Sequence, residues 1–203
     1  MERKAKRSHA EMTAEAVDTA YAIVGAEGIT ALTIRRLAEA IDCSVGTIYN
    51  LFLDFDDLEL HLAVRVVGDM RARLFAEPLP DCPADRLRLI AARYIAFAFE
   101  RPRLWSMLFS DRSSSGRPLP QWYETAVADL VATAVARASE AFPGDPTEGR
   151  ERIEVLWASL HGIAALGLSG KLGFVTAASA PTLADKLVLT FLAGAERPRT
   201  TQP

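Results

Sequence analysis

The chain is 203 residues long, 50% hydrophobic and 24% charged, with a formal net charge of −3 and a pI near 5.7. That length holds one large helical domain or a small domain joined to a larger one. The acidic balance excludes indiscriminate nucleic-acid binding but not a locally basic reader, and an Ala- and Leu-rich composition without strand-like alternation predicts an all-α fold.

The chain opens on a basic arm over residues 1–10, where Arg3, Lys4, Lys6 and Arg7 cluster. Such an arm can track phosphates or enter a minor groove, or simply be a solvated tail. Thr13 is positioned to cap a first helix with Glu15 in its first turn. Val17, Ala20, Tyr21 and Val24 form that helix's apolar stripe, and Gly28 supplies a left-handed residue at its end. Residues 33–52 then read as two short helices joined by a tight turn. Thr33 caps the first, in which Ile34, Leu37, Ala38 and Ile41 share one face. Ser44 caps the second, with Val45, Ile48 and Phe52 turned inward and Gly46, Thr47 and Asn50 outward. A helix with a small, polar outer face can lie in a DNA major groove, and Gly46 lets backbone approach closely. An ordinary helical hairpin with a solvated face meets the same spacing.

Asp54, Asp56 and Asp57 open a fourth helix expected over 56–75, with Arg71 and Arg73 near its end, both arrangements suiting the helix dipole. Capping explains this acidic cluster better than a cation site does. The helix is expected to connect two domains, 1–56 and 57–203. Pro78, Pro80 and Pro83 punctuate a linker. Further helices are expected over 84–100, 104–109, 120–142, 147–170 with Thr147 as cap, and 182–196. The eighth carries Gly162, Ala165 and Ser169 as a strip of small residues. The ninth offers Leu183, Leu187, Val188, Phe191 and Leu192, more apolar surface than one small bundle hides. Together they predict a homodimer interface, the alternative being that the ninth helix simply folds onto its own domain. Trp157 and His161 stand four apart on one helix face, beside Gly162. Trp105, Phe109, Trp122, Tyr123 and Trp157 are candidate lining for an apolar effector pocket between helices five to eight, with His161 its polar group. Core packing accounts for the same aromatics, and a hydrogen-bonded buried imidazole accounts for His161.

Enzyme chemistry finds no support. His9, His61 and His161 are dispersed, no HExxH or Cys/His spacing occurs, and Ser113, Ser114 and Ser115 lack a GxSxG context. No metal or cofactor is expected. Cys43 and Cys82 are far apart and read as reduced thiols, with Cys43 in the hairpin turn either a thiol sensor or a small packed residue. Neither a signal peptide nor an apolar run of about 20 residues appears, so a cytoplasmic protein without a membrane partner is expected.

The run over 13–58 resembles the DNA-binding domain of TetR-family transcriptional regulators. The resemblance rests on Gly28, Leu32-Thr33, Leu37-Ala38, Ser44-Val45-Gly46-Thr47-Ile48-Tyr49, Phe52 and Leu58. Residues 101–109 and Trp157-Ala158-Ser159-Leu160-His161-Gly162 resemble a C-terminal subtype of that family marked by Trp-x-x-x-His-Gly. The resemblance implies a DNA-binding regulator: a repressor, freed from a palindromic double-stranded operator by a small apolar or aromatic effector. It places Ser44, Val45, Gly46, Thr47, Tyr49 and Asn50 at the DNA, with Arg35, Arg36 and the arm adding attraction to phosphates. Leu51 and Phe55 depart from the pattern, which usually has phosphate-touching residues at those positions. The alternative is a helical ligand-binding or scaffold protein with a degenerate DNA domain.

Overall fold

The computed structural model describes residues 7–109 and 118–195. Nine α-helices occur among them, with short 3₁₀ turns and no strand. The first four are α1 (His9–Glu27), α2 (Ile34–Ala40), α3 (Val45–Leu51) and α4 (Phe55–Leu74). The others are α5 (Pro83–Glu100), α6 (Pro102–Met107), α7 (Gln121–Ala138), α8 (Pro146–Leu168) and α9 (Ala180–Ala195). The described chain divides into two compact units, 7–68 with 103–109 and 118–124, and 69–102 with 125–195. The units do not part at residue 56: α4 continues through Gly68 into the second, and α6 and the first turn of α7 belong to the first.

In the first unit, α1 begins earlier than the periodicity predicts. Ser8 is its cap: the hydroxyl accepts from the Glu11 N–H at 3.2 Å, and the Ser8 N–H donates to the Glu11 carboxylate at 2.7 Å. This reciprocal box satisfies two otherwise orphaned donors, and it holds the Glu11 carboxyl below its usual range. Thr13 is no cap; its hydroxyl donates to the His9 carbonyl one turn back. Ala16, Ala20, Ile23 and Val24 form the buried stripe, with Val17 and Tyr21 half-buried. Gly28 has φ +92° and ψ 169°, a region open essentially to glycine though not the left-handed helical one expected. Thr33 and Ser44 cap α2 and α3 as their positions predict, accepting from Arg36 N at 3.1 Å and Thr47 N at 3.0 Å. The Asp54 carboxylate accepts from Asp57 N, and the Asp57 carboxylate from Leu53 N, so part of the acidic cluster caps α4. The Arg103 guanidinium of α6 donates to the Ala26 carbonyl near the end of α1, and Leu104, Trp105 and Met107 are buried.

In the second unit, α5 packs on α8 and α9 and buries Leu87, Ile90, Ala91, Tyr94, Ile95 and Phe97. Each large apolar side chain removed from water contributes roughly 1.5–3 kcal/mol before entropy is charged against it. Asp145, not Thr147, caps α8: it accepts from Thr147 N at 2.8 Å, with Pro146 as the first helical residue. Gly167 of α8 answers a close approach, since a Cβ there would stand 2.6 Å from the Phe99 ring. On α9, Val188 is fully buried with Ala180 and Ala184, so it belongs to the protomer's own core and not to an outer face. The Arg88–Asp185 pair, 2.8 Å, ties α5 to α9.

Candidate nucleic-acid interface and ligand cavity

Ile48 and Phe52 anchor α3 in the core of the first unit, which fixes the side it shows to solvent. Gly46, Tyr49 and Asn50 are exposed there. Neither the Tyr49 hydroxyl nor the Asn50 side-chain amide makes a hydrogen bond within the described chain, so both stand ready for an outside partner. Thr47 is half-buried, its hydroxyl 2.9 Å from that of Ser44. Val45 was expected inward and is instead 42% exposed. As the first residue of a seven-residue helix it has no neighbouring turn to cover it. At Gly46 a Cβ would meet nothing closer than the Ser44 hydroxyl at 3.7 Å, so the fold itself does not require glycine there. His9 Nε2 lies 3.3 Å from the Asn50 carbonyl and links the start of α1 to α3.

The predicted cations divide. Arg3, Lys4 and Lys6 lie outside the described residues. Arg7 is bound into the fold, donating to Glu15 at 2.6 Å and to the carbonyls of Ile41 and Asp42 at the end of α2. Arg36 is likewise committed: it bonds Glu27 at 2.9 Å and the Ala31 carbonyl, clamping α2 to the end of α1. That pair raises the Arg36 pKa and lowers the Glu27 pKa. Among the described residues Arg35 pairs with Glu39 across one exposed turn, a weak contact. Leu51 and Phe55 are half-buried. Burial pushes the Cys43 thiol up, away from the thiolate a redox sensor needs.

The predicted ligand residues divide between the two units. Trp105 is buried and packs on Phe109, ring centroids 4.8 Å apart, in the first unit, which also holds Trp122 and Tyr123. One cavity among the described residues lies wholly in the second unit. It measures about 110 Å³ and is lined by Val131, Ala134, Ile153, Glu154 and Trp157. A smaller space of about 20 Å³ adjoins it through Ala134, Ile153 and Trp157, and Leu87, Ile90 and Tyr94 of α5 help to close it. Of the six predicted residues, Trp157 alone lines these spaces. Its ring sits 4.8 Å from that of Tyr94, whose hydroxyl is 3.2 Å from His161 Nδ1. Burial pushes the His161 imidazole below its ordinary pKa, so it is neutral at pH 7. The missed lining residues carried a faint signal: Val131 and Ala134 are three apart, and Ile153, Glu154 and Trp157 share a flank of α8.

Of the predicted interface residues, Ser169 is exposed and Gly162, Ala165, Leu183, Leu187, Phe191 and Leu192 are half-buried. Among the described residues no helix is long and apolar enough to cross a membrane.

Residues 87–191, just over half the chain's length, match the family described as "Tetracyclin repressor-like, C-terminal domain". The chain is 25% identical over 185 residues to an uncharacterised HTH-type transcriptional regulator of Mycobacterium tuberculosis, covering 91% of this chain and 81% of that one. The fold resembles a protein of unknown function from Rhodococcus sp. RHA1, with TM-score 0.74, 21% identity, and 96% and 98% of the two chains covered. It also resembles BioQ, solved with its natural double-stranded DNA operator, with TM-score 0.62, 15% identity, and 93% and 99% covered. The chain belongs to the TetR family and is a DNA-binding transcriptional regulator.

Proposed function

We propose that this regulator is a cytoplasmic repressor that holds a palindromic operator as a homodimer and releases it when a small apolar molecule enters the α5–α7–α8 cavity. The observation that carries the reading is the exposed face of α3. Gly46 is not required by the fold, and Tyr49 and Asn50 present beside it polar groups that the described residues leave unused. Asn50 can pair bidentately with adenine, and Thr47 and Tyr49 can reach phosphates. The basic arm (Arg3, Lys4, Lys6) and Arg35 add attraction that carries no sequence preference. BioQ, of similar fold, is bound to its operator in its own structure.

The dimer reading rests on half-buried Gly162 and Ala165 of α8 beside Leu187 and Phe191 of α9, with Val155 at 55% and Leu189 at 45% exposure extending the apolar surface. Two copies packed symmetrically bury it in a four-helix contact. An effector shifts DNA affinity only by binding one conformation better than the other. The test is a gel shift on DNA upstream of the protein's own gene, with nonspecific competitor, alone and with a panel of small apolar compounds. Retention of a specific band, lost on adding one class of compound, is expected. No competitor-resistant band, or one indifferent to every compound, overturns the reading.

A further inference from the structure

The charge at the second unit's cavity narrows the ligand beyond "apolar". Of all residues lining the two adjoining spaces, Glu154 alone carries a formal charge. Neither the Tyr94 hydroxyl, engaged with His161, nor the Trp157 indole N–H opens into the smaller space, whose walls are apolar. The Glu154 carboxylate is 2.8 Å from Arg150, in a pair whose side chains are 45% and 61% exposed. A pair so open to water is weak and exchanges readily for another cation. Trp157 stands three residues on from Glu154 on α8 and lines the same space, and an indole attracts a cation within about 6 Å of its ring. A ligand carboxylate in the same place meets Glu154 with no cationic lining residue to offset it.

Size limits the rest of the molecule. A dry cavity of about 150 Å³ holds benzene, so the 110 Å³ here suits one ring or a short branched chain after modest adjustment. We infer that the ligand is a small hydrophobic amine, with its apolar body in the cavity and its ammonium between the Glu154 carboxylate and the Trp157 indole. This rests on the cavity being the effector site.

The test is calorimetry on the full-length protein with three probes of one size and different charge: benzylamine, benzyl alcohol and benzoate. Benzylamine should bind about tenfold tighter than benzyl alcohol, and benzoate weakest. E154Q should bring benzylamine down to the level of the alcohol, while R150Q, which frees the carboxylate, should tighten it severalfold. Both positions are solvent-facing, and unchanged thermal unfolding confirms that the variants fold. Equal binding of amine and alcohol overturns the amine assignment and leaves the cavity as an effector site. A preference for amine that survives E154Q overturns the role of Glu154. If none of the three binds at millimolar concentration, the cavity reading falls with it.

Discussion

The imidazole of His61 stacks on the indole of Trp122, ring centroids 4.4 Å apart at 42°. The opposite neighbour of His61 is Phe52, met edge-on at 5.3 Å, whose backbone N–H closes α3 by donating to the Ile48 carbonyl. His61 Nδ1 donates to the Asp57 carbonyl at 2.9 Å, which fixes the ring between the two aromatics. The first turn of α7 is thus joined, through α4, to the residue that ends the reading helix. Aromatic pairs of this kind contribute about 0.5–1.5 kcal/mol beyond their burial. W122A should therefore lower stability by about 1 kcal/mol and weaken operator binding severalfold, while W122F keeps most of both. Thermal unfolding and fluorescence anisotropy on labelled operator measure the two effects, and full operator affinity in W122A would refute the link.

Gly46 separates folding from reading. A Cβ at this position makes only an ordinary contact with the Ser44 hydroxyl, so G46A gains helix propensity of up to about 1 kcal/mol. Its melting temperature should rise or hold while operator affinity falls at least tenfold. A variant that melts higher and still binds DNA would place Gly46 away from the groove.

The arm should be cut in two steps. Removing residues 1–6 takes away Arg3, Lys4 and Lys6 and leaves Arg7 on Glu15 and Ser8 capping α1. Affinity should drop, and the slope of log K against log salt should flatten by about 0.9 for each phosphate no longer neutralised, with unfolding unchanged. Removing 1–8 also takes the cap, worth about 1 kcal/mol, and should lower the melting temperature too. Equal salt slopes for the full and 7–203 chains would exclude the arm from the DNA.

Adjacent residues of α9 should fail differently. Leu187 is half-buried and Val188 fully buried. L187E should give a folded monomer by sedimentation that no longer binds operator. V188E places a charge in the protomer's core and should unfold it. A dimeric L187E moves the interface elsewhere.

His161 gives the stability curve its slope on the acid side. Burial lowers its folded-state pKa, so the unfolded chain takes up the proton first. The stability it contributes is complete above the unfolded value near 6.5, falls as pH drops through it, and levels off below the depressed folded value. H161Q should flatten this part of the curve, read as melting temperature from pH 7.5 to 5. An unchanged slope would show that another group titrates there.

Legibility followed range. Thr33 and Ser44 were readable as caps because each stands directly before an apolar periodic run. Ser8 was not, since the first turn of α1 has no buried face to announce it, although Glu11 three residues on completes a capping box. Asp145-Pro146 lost to Thr147 for a similar reason: two good caps stood within three residues. Val45 failed because seven residues give too little periodicity to orient a helix. Val188 failed because α9 is apolar towards both its own core and its outer face, and spacing does not distinguish the two. The aromatics divide between the two units. Trp105 and Trp122 belong to the unit built on α1–α4, while Trp157 belongs to the other. Contacts such as Arg103 to Ala26, 77 residues apart, decide that membership, and no local pattern carries them.

That same contact makes the reading unit discontinuous along the chain. Regulators of this architecture invite grafting, in which one protein's operator specificity is joined to another's sensor by a single splice after α4. In this chain such a splice would discard α6 and the first turn of α7, leaving the Ala26 carbonyl without its guanidinium and His61 without its stacked indole. A working hybrid needs two crossovers, one near residue 68 and a second exchange that carries 103–124 along with the reading helix. The two units are built from interleaved segments of the chain, not consecutive ones.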